Sequence, residues 1–255
     1  MARTTGQAQH ERGCLFCLRR DGSFRSREHI FPEGLLGEHE KVLPPGVVCD
    51  SCNNGPLSEI DNALVQFPPV TLLLAERGIG GKAGKAKVSK WGNATLGFTA
   101  PRELSVWGHS PRVVVPDGAG RFKLNLQTGG PIPARTYAKM ARALYKATLE
   151  LIYLDHGPTV AFDPKFDEVR AVTLGTLASR GWLSIPVNTT PHNEVRLTYR
   201  FVDERGDETV WIAADIYGLV MKTDLMHRAP LVDPARIPEG FVNISVWDSR
   251  LRVPA

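Results

Sequence analysis

Cys14-Leu15-Phe16-Cys17 and Cys49-Asp50-Ser51-Cys52-Asn53-Asn54-Gly55 enclose the segment Ser26-Arg27-Glu28-His29-Ile30-Phe31-Pro32. The two Cys-x-x-Cys pairs contain all four cysteines of the 255-residue chain. A Cys-x-x-Cys knuckle turns tightly and aims two sulfurs at one point. Two knuckles close a tetrahedron of thiolates around zinc, with Zn–S near ~2.3 Å. A thioredoxin-like redox motif needs only one such pair and a βαβ setting. Cys14, Cys17, Cys49 and Cys52 are therefore read as ligands of a structural Zn²⁺ ion.

The insert between the knuckles is longer than a plain zinc ribbon requires. Phe24 to Phe31 lies between Asp21-Gly22 and Pro32 and reads as a strand. Glu33 to Lys41 reads as a polar loop, and Val42 to Cys49 as a second short strand interrupted by Pro44-Pro45. A helix is expected from Asp50, capped by Asp50 or Ser51. A restart signal follows at Pro56-Leu57-Ser58-Glu59, and Pro68-Pro69 ends the helix. The sum is a ββα unit braced by two knuckles.

Glu-His-Ile-x-Pro between two Cys-x-x-Cys pairs, with Asn-Asn after the last cysteine and an acid eight residues later, resembles the HNH endonuclease family. The likeness is to the branch whose zinc knuckles brace a ββα-metal fold. It covers roughly residues 10 to 66, about a quarter of the chain. The resemblance implies hydrolysis of phosphodiester bonds, with His29 as the general base that activates water; imidazole is the side chain suited to that work near neutral pH. It further implies a divalent ion, Mg²⁺ or Mn²⁺, on the scissile phosphate. Asn53 is the implied helix-borne ligand of that ion, with Glu28 and Asp61 as further ligands. Adjacent strand residues point to opposite faces, so Glu28 and His29 cannot both face one cleft without a twist or bulge. Two positions depart from the family pattern. Pro44-Pro45 stand where the middle Asn of the motif is expected, and Pro56 replaces a common basic residue. The alternative is thus a non-catalytic, zinc-containing nucleic-acid-binding protein with a degenerate HNH fold.

Beyond residue 70 the text changes. Val70 to Glu76 is an apolar strand or short helix, and Gly78 to Lys87 is rich in glycine and lysine without matching a Walker A loop. Short strands are expected at 86–91, 94–99, 104–107, 112–115 and 121–126, with Arg121 and Lys123 on one face. Arg135 to Leu154 is the clearest helix. Tyr137, Met140, Ala141, Leu144, Thr148, Leu151 and Ile152 form its apolar stripe, and Lys139, Arg142 and Lys146 are assigned to a solvated opposite face. A second helix is expected over 163–177, then strands at 182–187, 194–203, 209–221 and 241–247.

These readings place the chain in the α+β class. A zinc-braced ββα-metal unit (10–66) precedes a mainly antiparallel sheet domain with two helices (70–255). Between Arg77 and Lys146 thirteen lysines and arginines face only two acids, Glu103 and Asp117, an imbalance suited to a polyanion. DNA is the expected partner, RNA the variant of it, with Arg27, Lys82, Lys85 and Lys87 as candidate phosphate contacts. No apolar run is long enough to span a bilayer, and no secretory leader is read at the N-terminus. A cytoplasmic location is expected, where paired cysteines more often hold metal than form disulfides. Cutting both strands with a single site would call for a homodimer.

Overall fold

The computed structural model describes residues 12–36, 41–80, 87–91, 94–100, 103–107, 114–116, 118, 122–124, 134–178, 182–186, 192–204, 207–226 and 241–245. Within these the architecture is α+β, with an N-terminal four-cysteine cluster, helices and antiparallel sheets.

The two strands expected inside the insert contract to one antiparallel bridge, His29 with Val42. Ile30 N–H donates to Lys41 O at 3.0 Å and Leu43 N–H to Glu28 O at 3.0 Å. The pairing cannot lengthen for two reasons. The Arg25 and Ser26 amides are already spent on the Asp50 carboxylate, at 2.8 and 2.7 Å, and Pro44 and Pro45 have no amide to give. A single helical turn, α1 (Glu33–Leu36), opens the loop that follows.

The helix that carries Cys49's partner comes in three pieces. α2 (Asp50–Cys52) runs into a π-helical stretch, Asn53–Leu57, broken at Gly55 before Pro56, and then into α3 (Ser58–Val65). The restart read at Pro56 is thus present. The cap is not the expected one. Cys49 holds the N-cap position without a side-chain bond, because the Asp50 carboxylate faces back to the 23–26 loop. α4 (Pro68–Glu76) follows with proline in its first turn, settling the apolar 70–76 stretch as helix.

β1 (Val88–Trp91), β2 (Ala94–Ala100) and β3 (Glu103–Trp107) form a three-stranded antiparallel meander, and β4 (Val114–Pro116) pairs with β5 (Phe122–Leu124). The placement of the Arg121 and Lys123 side chains lies outside the described residues. The long helix α5 (Ala134–Ala161) is interrupted at Gly157, whose φ of 79° only glycine adopts without strain, just before Pro158. A 3₁₀ turn (Pro164–Phe166) and α6 (Asp167–Leu174) come next.

The last sheet has the order β10-β6-β9-β8-β7, built from β6 (Trp182–Pro186), β7 (Val195–Glu204), β8 (Asp207–Ile216), β9 (Leu219–Asp224) and β10 (Phe241–Ser245). The strand expected over 209–221 is two strands joined at Tyr217-Gly218, both at positive φ (56° and 98°). Those angles make a two-residue hairpin turn of the kind usually signalled by Asn-Gly. Tyrosine in the first place hides it.

One apolar core runs from the knuckles to the sheet, including Leu15, Ile30, Phe67, Leu144, Val172 and Met221. It crosses residues 66–70 without a break, and Phe67 at that junction is fully buried. α5 lies at its centre, and its expected solvated face is largely covered. Lys146 has no exposed surface, and Arg142 donates to Thr173 O at 2.9 and 3.1 Å. Among the described residues no helix is long and apolar enough to cross a membrane.

Candidate metal centre and the His29 site

The first knuckle depends on two residues in the left-handed region. Gly13 has φ 86°, and a Cβ there would stand 2.6 Å from Leu18 O. Leu18 itself takes φ 60°, which turns the chain so that Cys14 N–H reaches Arg19 O at 2.9 Å. The second knuckle is the first turn of α2, with Cys52 N–H and Asn53 N–H both donating to Cys49 O, at 3.1 and 3.0 Å. Leu15 N–H to Val47 O (2.9 Å) holds the two together. The buried Arg170 of α6 clamps the first from behind, donating to Leu15 O at 2.9 Å.

The four sulfurs of Cys14, Cys17, Cys49 and Cys52 lie within 4.8 Å of one another. Cys17 Sγ and Cys49 Sγ are 3.7 Å apart, far beyond a disulfide at ~2.05 Å. The edge of a tetrahedron with ~2.3 Å Zn–S bonds is about 3.8 Å, so the spacing suits one shared metal ion such as zinc. Crowded thiols also cannot ionise independently. A hydrogen bond from Cys52 draws the Cys14 thiol down to about 5, the same bond pushes Cys52 up, and burial raises Cys17 to about 11.

From this centre the chain passes into the segment that carries His29. Residues 23–30 alternate between outward and inward: Arg25 and Arg27 are exposed and His29 partly so, while Phe24 and Ser26 are half-buried and Glu28 and Ile30 buried. Extended backbone thus sets Glu28 and His29 on opposite faces, the conflict their adjacency predicted. Asn53 lies across this segment, its amide donating to Arg27 O at 3.0 Å, and Asn54 donates to Ser26 Oγ at 3.0 Å.

Glu28 meets a residue that sequence reasoning put in solvent. Lys146 Nζ, from the middle of α5, is 2.7 Å from Glu28 Oε1. It also donates to Asp61 Oδ2 at 2.9 Å and to the backbone carbonyl of His29 at 2.7 Å. Glu150, one turn along α5, stands 3.7 Å away. Burial opposes the charge of Lys146, but the Glu150, Asp61 and Glu28 carboxylates together outweigh it and hold the ammonium above the usual lysine range. Burial pushes all three acids up: Glu28 and Asp61 are partly restrained by Lys146, and Glu150 lies well above its ordinary value. The only hint of this cluster in the sequence is the spacing Lys146-x-x-x-Glu150 beside an apolar stripe.

Comparison with protein-family models, with curated proteins and with solved structures finds no match to any.

The remaining candidates fall in different places. Lys87 does not reach outward: its ammonium donates to Gly34 O at 3.0 Å, and burial lowers its pKa. Lys82 and Lys85 lie outside the described residues. Two acids of the second region have partners of their own. His192 Nε2 is 2.9 Å from Asp215 Oδ2, whose other oxygen accepts Gly218 N–H, so this pair braces the β8–β9 hairpin. Asp155 accepts from the Tyr199 hydroxyl at 2.9 Å. Tyr217, at that hairpin, donates to Leu35 O and carries the Arg77 guanidinium over its ring at 4.4 Å. An open cleft of about 580 Å³ separates the insert from β7, lined in part by Ile30, Phe31, Lys41, Leu151 and Leu197.

Proposed function

We propose that this protein is an HNH-like endonuclease: it hydrolyses phosphodiester bonds in DNA, with His29 as the general base and a structural zinc ion at Cys14, Cys17, Cys49 and Cys52. The observation that carries the reading is the alternation of the 23–30 segment. It sets the partly exposed His29 in one row with the exposed Arg25 and Arg27, in the insert enclosed by a cysteine cluster of the right spacing for zinc. In this reading the imidazole takes a proton from water, and the two guanidinium groups hold the phosphate backbone without reading bases. The Asp61 carboxylate, close enough for the imidazole to act on its ionisation, steadies the charge formed on the ring.

The divalent ion that the resemblance calls for does not fit the acids assigned to it. Glu28 and Asp61 are both bonded to Lys146, and the four cysteines form the one candidate metal cluster among the described residues. The same engagement of Glu28, Asp61 and the Asn53 amide favours the second reading, a zinc module that binds nucleic acid without cutting it.

A plasmid-nicking assay with wild type and His29→Ala, each with Mg²⁺, Mn²⁺ or chelator after zinc loading, tests the proposal. Loss of cleavage by at least a hundredfold in His29→Ala, with binding retained, is the expected result. No cleavage by wild type under any of these conditions, together with salt-sensitive DNA binding, would replace the nuclease with the binding module.

A further inference from the structure

We infer that the Lys146 ammonium is the resident cation of the His29 site, standing between Glu28 and Asp61 where the HNH resemblance places a divalent metal ion.

An ammonium has three N–H donors and no acceptor. Three oxygens surround Lys146 Nζ within bonding distance: Glu28 Oε1 at 2.7 Å, Asp61 Oδ2 at 2.9 Å and His29 O at 2.7 Å. All three donors are therefore used. Glu150 adds a fourth oxygen at 3.7 Å, too far for a hydrogen bond. The ligand types are those a hard divalent ion takes: carboxylate oxygens from two elements and a backbone carbonyl. Lys146 and Glu150 have no exposed surface, and Glu28 is 5% exposed. Mg²⁺ keeps several waters and demands room for them, and the ammonium already fills the position between the two carboxylates. A second cation a few ångströms from the first would also be repelled strongly in so buried a place.

The arrangement has spare ligand capacity. Among the described residues neither carboxylate oxygen of Glu150 has a hydrogen-bond partner, and Glu28 Oε2 has none. Unpartnered buried carboxylate oxygens are rare and costly. They leave a set of oxygens around Lys146 that exceeds what one ammonium can satisfy. Removing the lysine head would expose that set, open to a cation that brings its own charge.

The inference rests on the functional reading of His29 for its meaning, but its test reads metal binding and so is decided apart from cleavage. Zinc-loaded full-length protein is titrated with Mn²⁺, and free Mn²⁺ is followed by its electron paramagnetic resonance signal. Wild type is expected to take up no Mn²⁺ that is lost on Glu28→Gln or Asp61→Asn substitution. Lys146→Ala is expected to gain one Mn²⁺ equivalent, lost again in Lys146→Ala/Glu28→Gln. Mn²⁺ uptake by wild type that weakens tenfold or more in Asp61→Asn would overturn the inference, and so would a folded Lys146→Ala that gains no site. Should Lys146→Ala fail to fold, the comparison of wild type with Asp61→Asn decides alone. Absence of cleavage with this metal pattern intact would remove the nuclease reading and leave the lysine in its place.

Discussion

Between Arg12 and Val65 the described chain contains one β-bridge, a single helical turn and a helix in three pieces, whereas from Ala134 to Met226 it contains the long helix α5 and antiparallel strands β7, β8 and β9 paired in continuous registers. The second region holds itself with regular hydrogen-bond ladders and large buried side chains such as Tyr145, Phe166 and Ile212. The first has few ladders. Its backbone amides end on side chains and loop carbonyls: Arg25 and Ser26 on Asp50, Leu15 on Val47. A segment so poor in regular structure needs a covalent or metal staple, and the four sulfurs supply the place for one. The lesson is that one core is shared by two parts with different sources of order.

Emptying the four-cysteine site of the zinc ion proposed for it should break this comparison most forcefully. Structural zinc sites contribute on the order of 10 kcal/mol or more of binding energy that doubles as folding energy. Chelation, or Cys52→Ser, is expected to abolish hydrogen-exchange protection across residues 14–36 and 41–65 while the amides of the β7–β8 ladder keep most of theirs. Equal loss in both regions would show that the division is wrong.

Lys146→Met comes next. It removes the cation bonded to Glu28 and Asp61 and leaves buried carboxylates uncompensated, a change that typically costs about 3–5 kcal/mol. Because the ammonium joins α5 to the His29 carbonyl and to α3, the loss should appear in denaturant unfolding of the whole chain. It should also appear as faster exchange of the Ile30 and Leu43 amides. Leu144→Ala, two residues away on the same helix but purely apolar, should cost about 3 kcal/mol without that local signature. If the two variants show the same exchange pattern, Lys146 acts as filler and not as a tie.

How far the sequence foretold this depends on the kind of signal. Spacing that is local survives: the Cys-x-x-Cys pairs, the periodicity of α5 and the strands expected at 182–187 and 194–203 fall close to their expected places. What was missed is decided at long range. Lys146 reads as surface on a helical wheel because a wheel shows only one helix, whereas its three oxygens come from residues 28, 29 and 61. The strand at 24–31 fails because Asp50 takes two of its amides from more than twenty positions away. The Tyr217-Gly218 turn is hidden because tyrosine seldom occupies a left-handed position, and it does so here where its hydroxyl reaches Leu35 in the other region.

The mildest test concerns protons and needs only a change of pH. Glu28, Asp61 and Glu150 face one ammonium, so full ionisation would leave excess negative charge in a dry place. Burial resolves this most strongly at Glu150, which holds its proton well above the ordinary carboxylate value. In the unfolded chain the same group titrates near ~4.3. Between those two values the folded state binds more protons than the unfolded one, so stability falls as pH rises, by at most about 1.4 kcal/mol per pH unit for one group. Below ~4.3 both states are protonated and Glu150 contributes no slope. Glu28 and Asp61, raised for the same reason, add slopes of the same sign. Glu150→Gln keeps the shape and removes the titration. The variant should therefore match wild type near pH 4 and exceed it at neutral pH, with a visibly flatter dependence of Tm on pH. Identical slopes in the two proteins would mean that Glu150 is ionised in the fold, and that Lys146 compensates three charges instead of two.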